Sequence, residues 1–249
     1  MLAFNELYKI IGRNRLQFSS YKTSNLSFSS LAIAGLLIWS FQSDYPPPFP
    51  RNGISKVYEN DRIVVWQGIL GVKGEPTPMH HHQRDLVGVF LDDGQVRNKL
   101  PDGTMRVGNL FSRGSVVFQP KGVVHTEEVL MDGTRAVGIE PKSINAGDSQ
   151  NLMQETSSCE SDGRVIIDNN RVVIREYVWP AGREIVRHTG GRDVVIVPLE
   201  SGRVCQSHHD GSSSIERLVF GQVIVKVGDQ TYQEEVASGS PRAIIVEIR

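Results

Sequence analysis

The chain has 249 residues, and its 27 basic side chains against 28 acidic ones leave a formal charge of −1, so no charge excess points to nucleic acid as a partner. Its 39% hydrophobic content suffices for one sizeable core or two small ones. There is no basic stripe interleaved with aromatics, no Gly-rich phosphate loop and no Gly-x-Ser-x-Gly elbow, which leaves nucleotide and serine-hydrolase chemistry without support.

The first element, residues 1–41, places Lys9, Arg13, Arg15 and Lys22 ahead of an apolar stretch from Leu26 to Phe41, centred on Leu31-Ala-Ile-Ala-Gly-Leu-Leu-Ile-Trp39. That stretch is predicted as a short hydrophobic leader helix. It falls below the roughly 20 apolar residues of a comfortable membrane span and suits the core of a signal peptide. No small-x-small cleavage site flanks Gln42 or Ser43, so an uncleaved anchor with the basic end inside stands beside the cleaved signal. A Ser-rich, acid-poor transit peptide and a disordered leader are the other readings. The expectation is export, periplasmic or extracellular, with any membrane contact confined to residues 26–41. Residues 42–52 include Tyr45-Pro46-Pro47-Pro48-Phe49-Pro50-Arg51, which cannot be helical and are predicted to form an extended spacer between the leader and the body.

The body, residues 53–142 and 165–249, carries short Val- and Ile-rich runs punctuated by turn residues, the pattern of an all-β barrel or sandwich. Within its first half lies Met79-His80-His81-His82. In an extended segment side chains alternate faces, so His80 and His82 converge while His81 points away. Farther on, Ser115-Val116-Val117-Phe118 reads as a strand, Pro120 and Gly122 as a turn, and Val123-Val124-His125 as the next strand. Three neutral imidazoles from two strands suit a divalent transition metal, iron, manganese, zinc, nickel or copper, with coordination positions left open for water or substrate. A polar linker, residues 143–164, separates the halves. Its Cys159 and the strand residue Cys205 are the only cysteines, and nothing in the spacing decides between a disulfide and free thiols.

These motifs resemble those of the cupins, small double-stranded β-helix (jelly-roll) barrels. The first cupin motif is matched by Gly74, His80, His82 and Gly94, and the second by Gly114, Pro120, Gly122 and His125. Where the family places a glutamate ligand this chain has Leu86 or Val87, where it places an asparagine it has Val129, and the nearest acid is Asp85. The resemblance spans residues 53–249 and implies two tandem barrels. It also implies a metal centre, but its reaction class is wide, from dioxygenases and isomerases to non-catalytic sugar-binding and storage proteins.

The chain repeats itself at a spacing of about 110 residues. The run Asn60 to Trp66 is echoed from Asn170 to Arg175, Gln83 to Gly94 from Gly191 to Gly202, and Gly114 to Val129 from Gly221 to Val236. Laid over each other, the copies match His80 to His188, His82 to Gly190 and His125 to Tyr232, so the second copy is expected to bind no metal. Asp85 persists as Asp193 where no imidazole triad needs it, which favours a strand-end or turn hydrogen bond over ligation. The expected ligands are therefore His80, His82 and His125. Glu127 and Glu128, like Glu234 and Glu235, are assigned to an outward strand face, the alternative being that one of them orients a ligand histidine or carries protons in the cavity; His208 and His209 are assigned to a turn beside Asp210-Gly211, and Trp66 and Tyr58 to packing rather than to a pocket wall. The leading functional expectation is a mononuclear metal-dependent oxygenase acting on a small organic molecule. The contenders are a non-catalytic small-ligand module and a purely structural barrel, with a homodimer as the expected partner arrangement.

Overall fold

The structure, a computed structural model, describes residues 45–142 and 163–249. The leader 1–41 and Cys159 lie outside the described residues. Among those described there is no helix. The strands of the first half are β1 (Ile54–Glu59), β2 (Ile63–Ile69), β3 (His80–His81), β4 (Leu86–Phe90), β5 (Val96–Lys99), β6 (Met105–Val107), β7 (Val116–Gln119), β8 (Val124–Val129) and β9 (Arg135–Pro141). Those of the second are β10 (Arg164–Asp168), β11 (Val172–Val178), β12 (Ile185–His188), β13 (Val194–His208), β14 (Ser213–Leu218), β15 (Ile224–Lys226) and β16 (Thr231–Ile248).

The first half is a jelly-roll barrel of two sheets, β1-β2-β9-β4-β7 and β3-β8-β5-β6. The second half repeats the plan with its sheets fused: β10-β11-β16-β13-β14 run as one, with β12 on β16 and β15 on β13. A single 15-residue strand, β13, covers the course of β4 and β5, and the 18 residues of β16 cover that of β8 and β9. Register shifts between Pro198 and Val204 bend this pair from one face to the other. Gly239 sits at that bend with φ +81°, where a Cβ would meet the Gly202 Cα at 3.1 Å.

Strand alternation divides the apolar residues between two places. In β2, Val64 and Trp66 turn into the first barrel with Phe49, Ile54 and Leu86, while Ile63 and Val65 turn outward. Those outward residues are not exposed. They join Val87, Val89, Leu91, Val137 and Ile139, and from the other half Val172, Ile174, Val195, Val197, Leu199, Ile244, Val246 and Ile248, in one cluster common to both barrels. At about 1.5–3 kcal/mol for each fully buried aliphatic side chain, this shared face outweighs the ion pairs at its rim, which contribute about 0–1 kcal/mol each when exposed.

The contact is reciprocal, as a repeat requires. Leu199 of the second half packs against Gly114 of the first, where a Cβ would lie 2.6 Å from Leu199 Cδ1, and Leu91 packs against Gly221, where the distance would be 3.3 Å. Asn60 Oδ1 accepts from the backbone N–H of Arg62 and Ile63, and Asn169 Oδ1 accepts from those of Arg171 and Val172. The partner of Asn60 in the repeat is thus Asn169, one residue before the Asn170 of the sequence overlay.

The expected spacer is built differently from its reading. Pro48 and Phe49 are buried, Phe49 stacks on Trp66 with centroids 5.2 Å apart, and Pro46 O accepts from the His81 N–H at 2.9 Å. Residues 46–51 are a strap on the first barrel rather than a free connector. Proline-rich chain has few backbone donors to satisfy and gives up little entropy when it lies down.

Truncating Leu199 to Ala is expected to cost about 2–5 kcal/mol. Because its cavity opens in the face common to both barrels, chemical denaturation should still show one transition, moved to lower denaturant. A second transition confined to one half would contradict the shared core.

Candidate metal centre

The two strands that carry the histidines are neighbours. In β3 and β8 His80 pairs directly with His125, and His81 with Val124. Beyond the strand the chain continues in the same register, His82 N–H donating to Val123 O at 2.9 Å and Gly122 N–H to His82 O at 2.7 Å. Gly122 takes φ +91° in the Pro120-Lys121-Gly122 turn, a conformation that favours glycine. His80, His82 and His125 therefore face the barrel interior, each no more than 3% exposed, while His81 is on the other face.

The rings converge. Their centroids are 5.2 Å apart for His80 and His82, 4.8 Å for His80 and His125, and 5.1 Å for His82 and His125. One ring nitrogen from each lies within 4.8 Å of the other two, and Nε2 of His82 and Nε2 of His125 are 3.1 Å apart. His80 Nδ1 sits 3.0 Å from Pro78 O; donation to that carbonyl sets the tautomer and leaves Nε2 with its lone pair. That Nε2 is buried without a hydrogen-bond partner, and so is His82 Nδ1. Burial holds all three imidazoles below their ordinary pKa, His82 down to about 4, against an opposing pull from the Glu127 carboxylate. They are neutral donors at pH 7, the state a metal needs.

Two residues assigned elsewhere by the sequence reading border the rings. Glu127 lies two positions after His125 on β8 and so shares its inward face. Its Oε1 is 3.7 Å from His125 Nε2, and its Oε2 accepts from Arg51 Nη1 of the strap at 2.7 Å. Burial alone would raise this carboxyl, but Arg51 and the His125 and His80 rings outweigh it and hold the pKa at about 2. The outward assignment thus fails for Glu127 and holds for Glu128, which pairs with Arg97. Strict alternation from His125 was the signal available for Glu127. Arg51, in the proline-rich segment, carried no signal at all.

Asp85 lies outside the cluster. Its Oδ1 accepts from Lys121 N–H at 2.9 Å and its Oδ2 from Arg171 Nε of the second half at 2.8 Å. Asp193 does the same in reverse, accepting from Asn60 Nδ2 at 2.8 Å with Arg62 Nη1 3.8 Å away. The aspartate retained in both copies ties one barrel to the other.

The second copy corrects the overlay by one residue. Tyr232, in the place of His125, pairs with Arg187, and His188 with Thr231; Thr189 N–H donates to Gln230 O as His82 does to Val123 O. The residues standing where His80 and His82 stand are thus Arg187 and Thr189, not His188 and Gly190, and none of the three imidazoles is kept. Glu234, equivalent to Glu127, is buried at 2% exposure instead of facing outward. It accepts from Trp179 Nε1 at 2.8 Å, Arg187 Nε at 3.0 Å and Gln206 Nε2 at 3.1 Å. Arg187 in turn stacks 3.9 Å above the Tyr177 ring. The extra residue that restores the register lies before Asp193, in the turn containing Gly190 and Gly191.

The remaining assignments are simpler. Trp66 is buried and donates to Glu140 Oε2 at 3.1 Å. His209 is exposed in a turn, whereas His208 ends strand β13 half-buried. Cys205 is a partly buried free thiol.

No family model matches the sequence, and no curated protein matches it. Solved structures do resemble it. A cupin 2 conserved barrel domain protein from Leptotrichia buccalis aligns with a TM-score of 0.53 at 11% identity, over 79% of this chain and 88% of its own. AerE from Microcystis aeruginosa aligns at 0.53 and 15% identity, over 82% and 98%. An oxalate decarboxylase variant from Bacillus subtilis aligns at 0.52 and 12% identity, over 83% and 75%; that enzyme has Mn(II) centres. At these identities the likeness is one of fold.

Replacing Asp85 with Ala is expected to lower stability by about 1–3 kcal/mol, the cost of stranding a half-buried partner, and to leave metal content unchanged. Loss of metal from this variant, measured by elemental analysis, would return Asp85 to the coordination shell.

Proposed function

We propose that this chain, which has the two-barrel cupin fold, holds one divalent transition-metal ion on His80, His82 and His125 and uses it on a small organic molecule. The carrying observation is the convergence of three buried, neutral imidazoles, two of which have a ring nitrogen with no partner. Buried polar atoms left unpaired are costly and rare, and an ion at the centre of the rings would satisfy His80 Nε2, while His82 would meet it through Nε2, the nitrogen that faces His125. When bound, the ion supplies Lewis-acid or redox chemistry at the positions the rings leave open.

The chain's own residues do the rest. Pro78 O orients His80, and Thr77 links the loop to β8 by accepting from the Glu127 N–H through Oγ1. Trp66, Leu86 and Phe49 are buried together in the same barrel. The all-nitrogen triad accepts manganese, iron, zinc, nickel or copper; manganese is the first to test, since a Bacillus subtilis enzyme of this fold contains it. We favour an oxygenase among the reactions open to such a centre. The second half, with Arg187 and Thr189 in place of imidazoles, serves as scaffold.

The test uses the full-length chain without a histidine tag, reconstituted with each metal. About one ion per chain is expected, lost in His82→Ala and in His125→Ala; wild-type protein that holds no stoichiometric metal rejects the reading. Oxygen uptake across phenolic, thiol and amino-acid compounds should identify a substrate class, and a flat response would favour a non-catalytic binding module. We also propose that the chain is exported and tethered by residues 26–41. Carbonate-washed membranes should then retain it, and release into the supernatant would reject the tether.

A further inference from the structure

We propose that Glu127 supplies the carboxylate of the metal centre, taking over from strand β8 the role that the first motif leaves vacant at Leu86 and Val87. The inference rests on the three-histidine reading above and extends its ligand set.

The geometry is the first support. Two donor atoms bound to one ion at about 2.1 Å stand roughly 3 to 4 Å apart. His82 Nε2 and His125 Nε2 are separated by 3.1 Å, and His125 Nε2 and Glu127 Oε1 by 3.7 Å; the atoms that all converge within 4.8 Å are those of the three histidines, and Glu127 joins them through its spacing to His125, which suits neighbours in one coordination shell. His125 and Glu127 also reach the interior from the same face of the same strand, the two-residue spacing that already brings His80 and His82 together.

The second support is how the carboxylate is held. Arg51 Nη1 engages Oε2 at 2.7 Å, the guanidinium lying 5.3 Å from the Phe49 ring centroid. Oε1, the oxygen turned to the rings, accepts no hydrogen bond among the described residues. A carboxylate pinned by one oxygen presents the other in a fixed direction.

Charge is the third. Three neutral imidazoles do nothing to offset a dication in a buried site, and Arg51 adds a positive charge beside it. Glu127 is the carboxylate that faces the triad. The second barrel shows the same wall with a different cation. There Glu234, in the place of Glu127, binds the Arg187 guanidinium, and Arg187 stands where His80 stands. In both halves the carboxylate two residues along the strand meets a guanidinium of the chain, Arg51 of the strap in the first and Arg187 in the second; only in the first half does the guanidinium lie outside the position of His80, leaving that position to an imidazole.

The test is made on the full-length chain, stripped with a chelator and titrated with Co(II), whose visible absorption reports the ligand set. Glu127→Gln is expected to weaken Co(II) binding by about ten- to a hundredfold and to shift the absorption bands, and Glu127→Asp, which keeps the charge but withdraws the oxygen, should weaken it less. Folding of each metal-free variant is checked by far-UV circular dichroism. Wild-type affinity and an unchanged spectrum in both variants, with binding abolished in His125→Ala, would overturn the role of Glu127 while leaving the triad intact. Failure of the wild-type protein to bind Co(II) would instead remove the triad reading itself.

Discussion

The structure depends on one apolar face. Each barrel turns the outer side of a sheet toward the other, and the two sides merge into a single cluster that contains Ile63, Val89 and Ile139 from one half and Ile174, Val197 and Val246 from the other. Non-directional burial of this kind does not select a register by itself. The selection comes from shape and charge at the rim. Leu199 over Gly114 and Leu91 over Gly221 leave no room for a Cβ in a sliding register, and Asp85 with Arg171 and Asp193 with Asn60 close the two ends. Since the outer faces are occupied by this contact, the inner faces of the same strands are left for chemistry.

That division explains why one strand can serve two purposes. A residue count of two moves a side chain from the shared face to the barrel interior and back. Val64 and Trp66 thus line the first barrel while Ile63 and Val65 belong to the joint core. A mutation on the shared face acts on stability of the whole, whereas one on the interior acts on the site.

Much of this was legible before any coordinates. Alternation placed His80 and His82 together and His81 apart, the Pro120 and Gly122 turn delivered His125, and the persistence of Asp85 as Asp193 pointed to a structural aspartate, which the inter-barrel bonds explain. What escaped notice did so for physical reasons. The equivalence of His80 with His188 looked natural because like residues align, yet an extra residue in the Gly190 and Gly191 turn slides β12 by one, and a slip of one exchanges the faces of a strand. For Glu127 and Glu234 the sequence favours an outward face over a place beside a ligand histidine, because charged residues are seldom taken from solvent unless paired; their partners, Arg51 and Arg187, cannot be assigned from sequence spacing. Arg51 was hidden further by a proline-rich context that signals a linker and here forms a strap.

The exchange of a histidine for Arg187 has a bearing on what each half needs from outside the chain. A guanidinium is attached to the chain from synthesis onward and stays charged at any physiological pH, so the interior of the second barrel is balanced from the moment it closes, whatever the supply of metal. The first barrel places its guanidinium on Arg51 of the strap, against Glu127, and gathers three imidazoles at its centre instead. The second half therefore needs no ion to fill the position at which His80 stands in the first.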